Sequence, residues 1–261
     1  MNGVVEAADE IEVALANGKR LRAKVIGTDE ETDLAVLQVD VKDLPAITFG
    51  EAESAKVGDV VLAIGNPFGV GQTVTMGIVS ALGRSGLQIN TYENFIQTDA
   101  AINPGNSGGA LTDASGNLIG INTAIYSRSG GSLGIGFAIP VSTAKQVMEQ
   151  IIATGSVTRG WIGVEAQEIT PELAESFRLP STTGALIAGV LKGSPADRAG
   201  VKPGDILLSI NTTPVSDPTA MLNIVASLSP GKPAALKLRR DQKEINIQVE
   251  PGKRPPASRR R

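Results

Sequence analysis

Up to Pro140 the chain never sustains a helical period. Short β-branched and apolar runs alternate with Gly, Asn and Asp turns. That pattern restricts the fold to a barrel or sandwich of short strands. Candidate strands are Ile11–Leu15, Leu21–Ile26, Leu34–Val39, Val60–Ile64, Val74–Leu82, Leu118–Ile125 and Ile135–Ile139. Asn17-Gly18 is a hairpin signal, because these residues tolerate the positive φ of a tight turn. Thirty Gly and 3% aromatics imply many turns around a core of Val, Ile, Leu and Ala. The first long helical pattern follows Pro140. Val141, Ala144, Val147, Met148, Ile151 and Ile152 recur at helical spacing, and Gly155 stops it.

A second unit begins near Arg159. Its strand candidates are Trp161–Val164, Ala185–Val190, Ile206–Ile210, Ala235–Arg239 and Ile245–Val249. Thr170 before Pro171, and Asp217 before Pro218, read as helix N-caps. The elements make a small α+β domain with room for a binding groove. Residues 252–261, with Pro255, Pro256 and Arg259–Arg261, read as a disordered basic tail. The chain of 261 residues thus divides into 1–157, 158–251 and the tail.

Bulk chemistry narrows the function. A net charge of −3 argues against nucleic-acid binding. No apolar run is long enough to cross a bilayer. Glu6, Asp9 and Glu10 so near Met1 leave no signal peptide in this stretch. Zero Cys removes disulfides without fixing the compartment. Nothing nominates a metal or another cofactor.

The chemistry concentrates at Asn103-Pro104-Gly105-Asn106-Ser107-Gly108-Gly109. Gly105, Gly108 and Gly109 let the backbone bend sharply and approach a substrate. Such a bend aims the amides of Gly105, Asn106 and Ser107 at one point, an oxyanion hole beside the Ser107 hydroxyl. Asp33 stands in Thr32-Asp33-Leu34-Ala35-Val36, before a buried strand, where an orienting carboxylate belongs. A serine is a weak nucleophile until a base takes its proton, and histidine is the usual base. The chain has none.

Thr-Asp-Leu-Ala at 32–35, Gly-Asn-Pro-Phe-Gly at 65–69, Ile-Val-Ser-Ala-Leu-Gly-Arg-Ser-Gly at 78–86, Gln-Thr-Asp-Ala-Ala-Ile-Asn at 97–103 and Gly-Asn-Ser-Gly-Gly at 105–109 together resemble the HtrA (Deg) family of bacterial envelope serine proteases. The resemblance runs from Asn2 to about Val249. It implies a mainly β fold: a chymotrypsin-type double β-barrel, followed by an α+β PDZ domain. It implies Ser107 as nucleophile, Asp33 as orienting acid, and Arg84 and Phe68 in loops that sense activation and rearrange around the site. Ile102, with the loop 129–136, is expected to line an apolar specificity pocket; for Ile102 and Phe68 alike the alternative is simple core packing. The family's histidine position holds Gly3, in Asn2-Gly3-Val4-Val5.

The opening strands and the trimer-forming segment of the family precede that position. Residues 1–64 are therefore expected to form an incomplete first barrel, and 65–157 the second barrel and its C-terminal helix. In the second unit, Trp161, Ile162, Gly163 and Val164 resemble the carboxylate-binding loop of a bacterial PDZ domain, and the strand that follows would pair with a peptide. Ser194–Asp205 fits a short helix turning into the strand at Ile206. Met221, Leu222 and Val225 wall the groove or belong to the core, and Trp161 is a groove lip or a core anchor.

Two expectations follow. By resemblance the chain is a periplasmic serine endopeptidase for unfolded envelope proteins, regulated through PDZ-bound peptides; the family implies homotrimer-based assembly, but its trimer-forming segment is missing here. With Gly3 at the base position it is catalytically silent. The other expectation is a pseudoprotease scaffold that holds unfolded chains or C-terminal peptides.

Overall fold

The computed structural model describes residues 2–5, 8, 10–125 and 131–255. The chain divides between Val157 and Thr158 into two compact units. Among the described residues no helix is long and apolar enough to cross a membrane.

In the first unit, a helical turn α1(Asn2–Val5) precedes strands β1(Ile11–Ala14), β2(Arg20–Asp29) and β3(Leu34–Val39). These form an antiparallel sheet in the order β1-β2-β3. Gly18 closes the first hairpin at φ +81°, its N–H donating to Leu15 O at 2.9 Å. Strands β4(Val60–Gly65), β5(Thr73–Arg84), β6(Phe95–Thr98), β7(Ala110–Asp113), β8(Leu118–Ile125) and β9(Gly136–Pro140) close into a barrel, in the order β4-β5-β6-β9-β8-β7. β4 was expected in the first half. It pairs with β5 and β7 and is a barrel stave, so the boundary between the halves lies before Val60 rather than at 64. The sequence pattern also passes over β6 and β7. Four residues carry too little alternation to read, and both strands are buried on both faces.

Helix α2(Val141–Thr154) ends at Gly155 in the left-handed region, φ +80°. Its Val147 and Ile151 join Leu34, Phe95, Phe137 and Ile139 in one core cluster, with Ile26 and Val36 at its margin. The open sheet is thereby anchored on the helix. The approach is close at Gly27, where a Cβ would fall 2.6 Å from Gly155 O.

The second unit contains β10(Gly160–Trp161), β11(Val164–Gln167), α3(Pro171–Ser176), β12(Ala185–Val190), α4(Pro195–Ala199), β13(Ile206–Ile210), β14(Thr213–Pro214), α5(Pro218–Ser227), β15(Ala234–Arg240), β16(Lys243–Val249) and β17(Gly252–Lys253). The sheet runs β11-β12-β13-β15-β16, with β14 on β13. The helices start where the caps are expected. The Thr170 side chain accepts from Leu173 N at 3.3 Å and Asp217 from Ala220 N at 2.8 Å. Ser194 does the same for α4, accepting from Asp197 N at 3.2 Å.

Two expectations are corrected here. Trp161–Val164 is not one strand: Gly163, at φ +78°, breaks it into β10 and β11. Gly252 and Lys253, read as the start of the tail, pair with β10 instead. The rest of the expected tail from Pro256 lies outside the described residues.

Candidate functional site

The Ser107 loop joins β6 to β7 and is clamped by β8. Gly108 N donates to Asn122 O at 2.8 Å, and Asn122 N donates to Gly109 O at 2.9 Å. The Asn122 side chain reaches Ile64 O and Ala110 O at 3.2 and 3.1 Å, tying β8 to its neighbour β7 and to β4 beyond it. Gly105 sits at φ +102°, and a Cβ there would lie 2.3 Å from Asn66 O, so no other residue fits. The N–H groups of Gly105 and Ser107 donate to no described residue, as an oxyanion hole requires. Asn106 differs: its N–H is spent on Asn103 O at 3.0 Å. The Ser107 hydroxyl donates to the Thr123 carbonyl at 3.1 Å.

Asp33 lies at the turn from β2 to β3 with φ +56°. α1 is bound to it twice. Asn2 N donates to Asp33 O at 2.9 Å, and Gly3 N donates to Asp33 Oδ1 at 2.7 Å. Oδ2 accepts no hydrogen bond from the described residues. A Cβ built on Gly3 would stand 3.5 Å from Asp33 Oδ1, in ordinary contact and with no positive φ to oppose it. Position 3 therefore presents its missing side chain to the carboxylate.

Around it opens a cleft of about 370 Å³ lined by Asn2, Gly3, Glu30, Asp33, Ile89, Asn90 and Thr123. Its far wall is held by a buried carboxylate. Glu93 accepts from the N–H groups of Leu87, Ile89 and Asn90 at 2.7, 2.6 and 3.1 Å. Asn90 in turn donates to Thr32 O at 3.1 Å.

The structure thus brings Asp33 and Gly3 to one cleft, with Ser107 hydrogen-bonded to the carbonyl of Thr123 on its wall, and places the remaining expected residues elsewhere. Ile102 is 2% exposed in the barrel core, beneath Gly136. Of its companion loop 129–136, residues 129 and 130 lie outside the described residues. Phe68 is 67% exposed at φ +53°, its N–H on Pro104 O at 2.8 Å, next to the nucleophile loop. Arg84 ends β5 and donates from Nε to Gln97 Oε1 at 2.8 Å. Thr123 and Glu93 were not singled out in the sequence. Thr123 acts through a backbone carbonyl, which any residue type supplies. Glu93 acts through loop amides, and no motif marks that.

In the second unit, Gly163 is again irreplaceable: a Cβ would lie 2.3 Å from the Ser194 Cβ. The carbonyls of Ile162 and Gly163 accept from Ala196 and Leu191 N at 2.9 Å each. Their own N–H groups donate to no described residue. This leaves two backbone donors for a carboxylate, at the start of β11. That strand is an edge of its sheet, open on one side to strand addition. Met221 and Val225 are buried in the core, Leu222 is half-buried, and Trp161 is half-buried against Gly252.

Residues 2–121 match the family model of the trypsin-like peptidase domain, and residues 160–250 that of the PDZ domain. The chain is 51% identical over 254 residues to a probable periplasmic serine endoprotease, DegP-like, of Hahella chejuensis, covering 97% of this chain and 54% of that protein. It is 47% identical over 250 residues to the periplasmic serine endoprotease DegP of Escherichia coli K12, covering 95% and 53% respectively. It spans about half the length of these curated relatives. Among solved structures, the HtrA-type protease AlgW with a decapeptide is 57% identical, with a TM-score of 0.89, covering 98% of this chain and 78% of that one. A trypsin-like domain with a closed barrel, followed by a PDZ domain, is thus shared with relatives of high identity over nearly all of this sequence, and the chain belongs to the HtrA-type, DegP-like serine proteases.

Proposed function

We propose that this chain carries the protease and PDZ parts of an HtrA-type endopeptidase that acts on unfolded proteins of the bacterial periplasm. In this polypeptide the peptide-cleaving step is silent. The periplasm is the location in the names of its relatives. The observation that carries the reading is Gly3 N 2.7 Å from the Asp33 carboxylate, where a Cβ on residue 3 would meet only Asp33 Oδ1, at 3.5 Å. Ser107 and Asp33 are the proposed nucleophile and orienting acid. Gly105 and Ser107 supply the oxyanion donors, and Ile162 and Gly163 the amides for a peptide carboxylate. Arg84 and Phe68 belong to the proposed activation loops.

Among the described residues, the Ser107 hydroxyl donates to a peptide carbonyl and to no base. Loss of the base in a comparable triad lowers turnover on the order of 10⁶-fold. The test is Gly3→His. Position 3 accepts a Cβ without a clash, so the variant is expected to degrade an unfolded reporter in a Ser107-dependent way. A folded Gly3→His protein that remains silent would overturn the assignment of this cleft.

A second reading is favoured by Gly3 itself. With hydrolysis lost, the free amides of Ile162 and Gly163 and the open edge of β11 still suit a scaffold that holds peptide C-termini. Binding of an apolar C-terminal peptide, lost when its carboxylate is amidated, is the expected result. Equal affinity for both forms would remove the carboxylate loop from the proposal.

A further inference from the structure

The cleft at Gly3 does more than record a missing group. It rests on the reading above, in which Ser107 and Asp33 are the retained pair. One wall offers Asp33 Oδ2, which accepts no hydrogen bond from the described residues. Another is Thr123, whose carbonyl holds the Ser107 proton at 3.1 Å. Between them lies a volume of about 370 Å³, ample for a five-membered ring. Asn90 and Ile89 supply a polar and an apolar surface, and the buried Glu93 carboxylate holds their backbone in place by accepting from both of their N–H groups. A carboxylate that can accept from a ring N–H, in a cleft whose Thr123 carbonyl holds a hydroxyl that can donate to the other ring nitrogen, suits a neutral imidazole.

We infer that the cleft is a binding site for an imidazole ring, and that the chain cleaves substrates that bring one. The ring comes from free imidazole or from a histidine next to the scissile bond of a bound peptide. Glu30, also on the cleft wall, adds a second carboxylate that favours the ring as it gains a proton.

The step balances within the chain, the ring and the peptide. Ser107 Oγ gives its proton to the ring nitrogen facing it and forms a C–O bond to the scissile carbonyl carbon. The carbonyl π electrons move to the oxygen, which faces the Gly105 and Ser107 N–H groups. The C–N bond then breaks, and the imidazolium returns the proton to the leaving nitrogen. Water hydrolyses the acyl-enzyme by the same proton route, releasing the acid and restoring Ser107. Asp33 holds the ring by its second N–H throughout.

The experiment uses the full chain and fluorogenic peptides with an apolar residue before the scissile bond. In one arm the peptide lacks His and free imidazole is titrated in. In the other, two peptides differ only by His or Gln beside the scissile residue, with no imidazole present. Hydrolysis roughly 10²-fold above the Ser107→Ala protein is expected in a responding arm, the scale of general-base assistance. It should saturate with imidazole, and it should vanish in Gly3→Leu, whose side chain fills the cleft.

Response in either arm supports the inference and names the source of the ring. A rate linear in imidazole, one unchanged in Ser107→Ala, or silence in both arms overturns it. An active Gly3→His protein beside two silent arms sinks this inference alone. A silent, folded Gly3→His protein with both arms silent sinks the proposed function as well.

Discussion

The closed barrel and the open sheet of the first unit carry different halves of the proposed site, on very different supports. Every barrel strand has two partners, and Val61, Ala63, Val79 and Leu111 are completely buried inside it. The sheet β1–β3 has two free edges. No residue of β1 is buried, Asp29 alone is buried in β2, and Leu34 alone in β3. Val25 and Leu37 are exposed on it. Ser107, its loop and its amide donors are held by the barrel through β8. Asp33 and Gly3 sit on the sheet and on the α1 turn tied to it. Closure removes edges and distributes a core over all staves, whereas a three-stranded sheet depends on what it leans against. The proposed nucleophile lies on the closed half, and Gly3, at the proposed base position, lies on the open one.

The largest effect expected from this contrast is catalytic. In a Gly3→His background, Gly105→Ala should lower turnover by roughly 10²–10³-fold, because a Cβ against Asn66 O displaces an oxyanion donor. Steady-state kinetics with an unchanged fold by circular dichroism checks it. A normal rate would move the oxyanion hole elsewhere.

Stability should split the same way. Leu111→Ala in the barrel is expected to cost about 2–5 kcal/mol. Leu21→Ala on half-buried β2 should cost about 1 kcal/mol, near the centre of the distribution for point mutants. Denaturant unfolding of both variants tests this, and equal losses would put the two regions on one footing. Native-state hydrogen exchange sharpens it: amides of β1 and β2 are expected to exchange through local opening, ahead of those of β4, β7 and β8.

The smallest effect lies in the second unit and serves as a control. Asp217 caps α5. Burial pushes its carboxyl up, but hydrogen bonds from Ala220 N, the Ser216 hydroxyl and Thr219 N outweigh that and leave it below its ordinary value. Asp217→Ala should remove about 1 kcal/mol at neutral pH. A depressed carboxyl stabilises above its unfolded pKa and loses that contribution as pH falls through its folded value. The difference between the two proteins should therefore shrink below about pH 4. A difference that grows in acid would reverse the sign given to this cap.

The parts of the molecule that were legible in sequence are those written in side chains at short range. Asn17-Gly18, the caps at Thr170 and Asp217 and the stop at Gly155 are local rules and appear where expected. Ser107, Asp33 and Gly3 stand far apart in sequence; Asp33 and Gly3 border one cleft, and Ser107 is bonded to Thr123 on its wall. Motif recognition named them, and only pairing of β8 with the nucleophile loop brings the Thr123 carbonyl into play. What stayed hidden depends on long-range partners. β4 reads like any apolar strand, and its place in the barrel is decided by β5 and β7. The break at Gly163 and the strand at Gly252 are set by Ser194 and by β10.

The most direct measurement is degradation of a histidine-free unfolded reporter by this chain and by its Ser107→Ala variant, in buffer without imidazole. With Gly3 at the base position, the two proteins should be indistinguishable. Cleavage present in the first and lost in the second would mean that another group in the chain takes the Ser107 proton, and that the cleft at Gly3 is not where the missing base belongs.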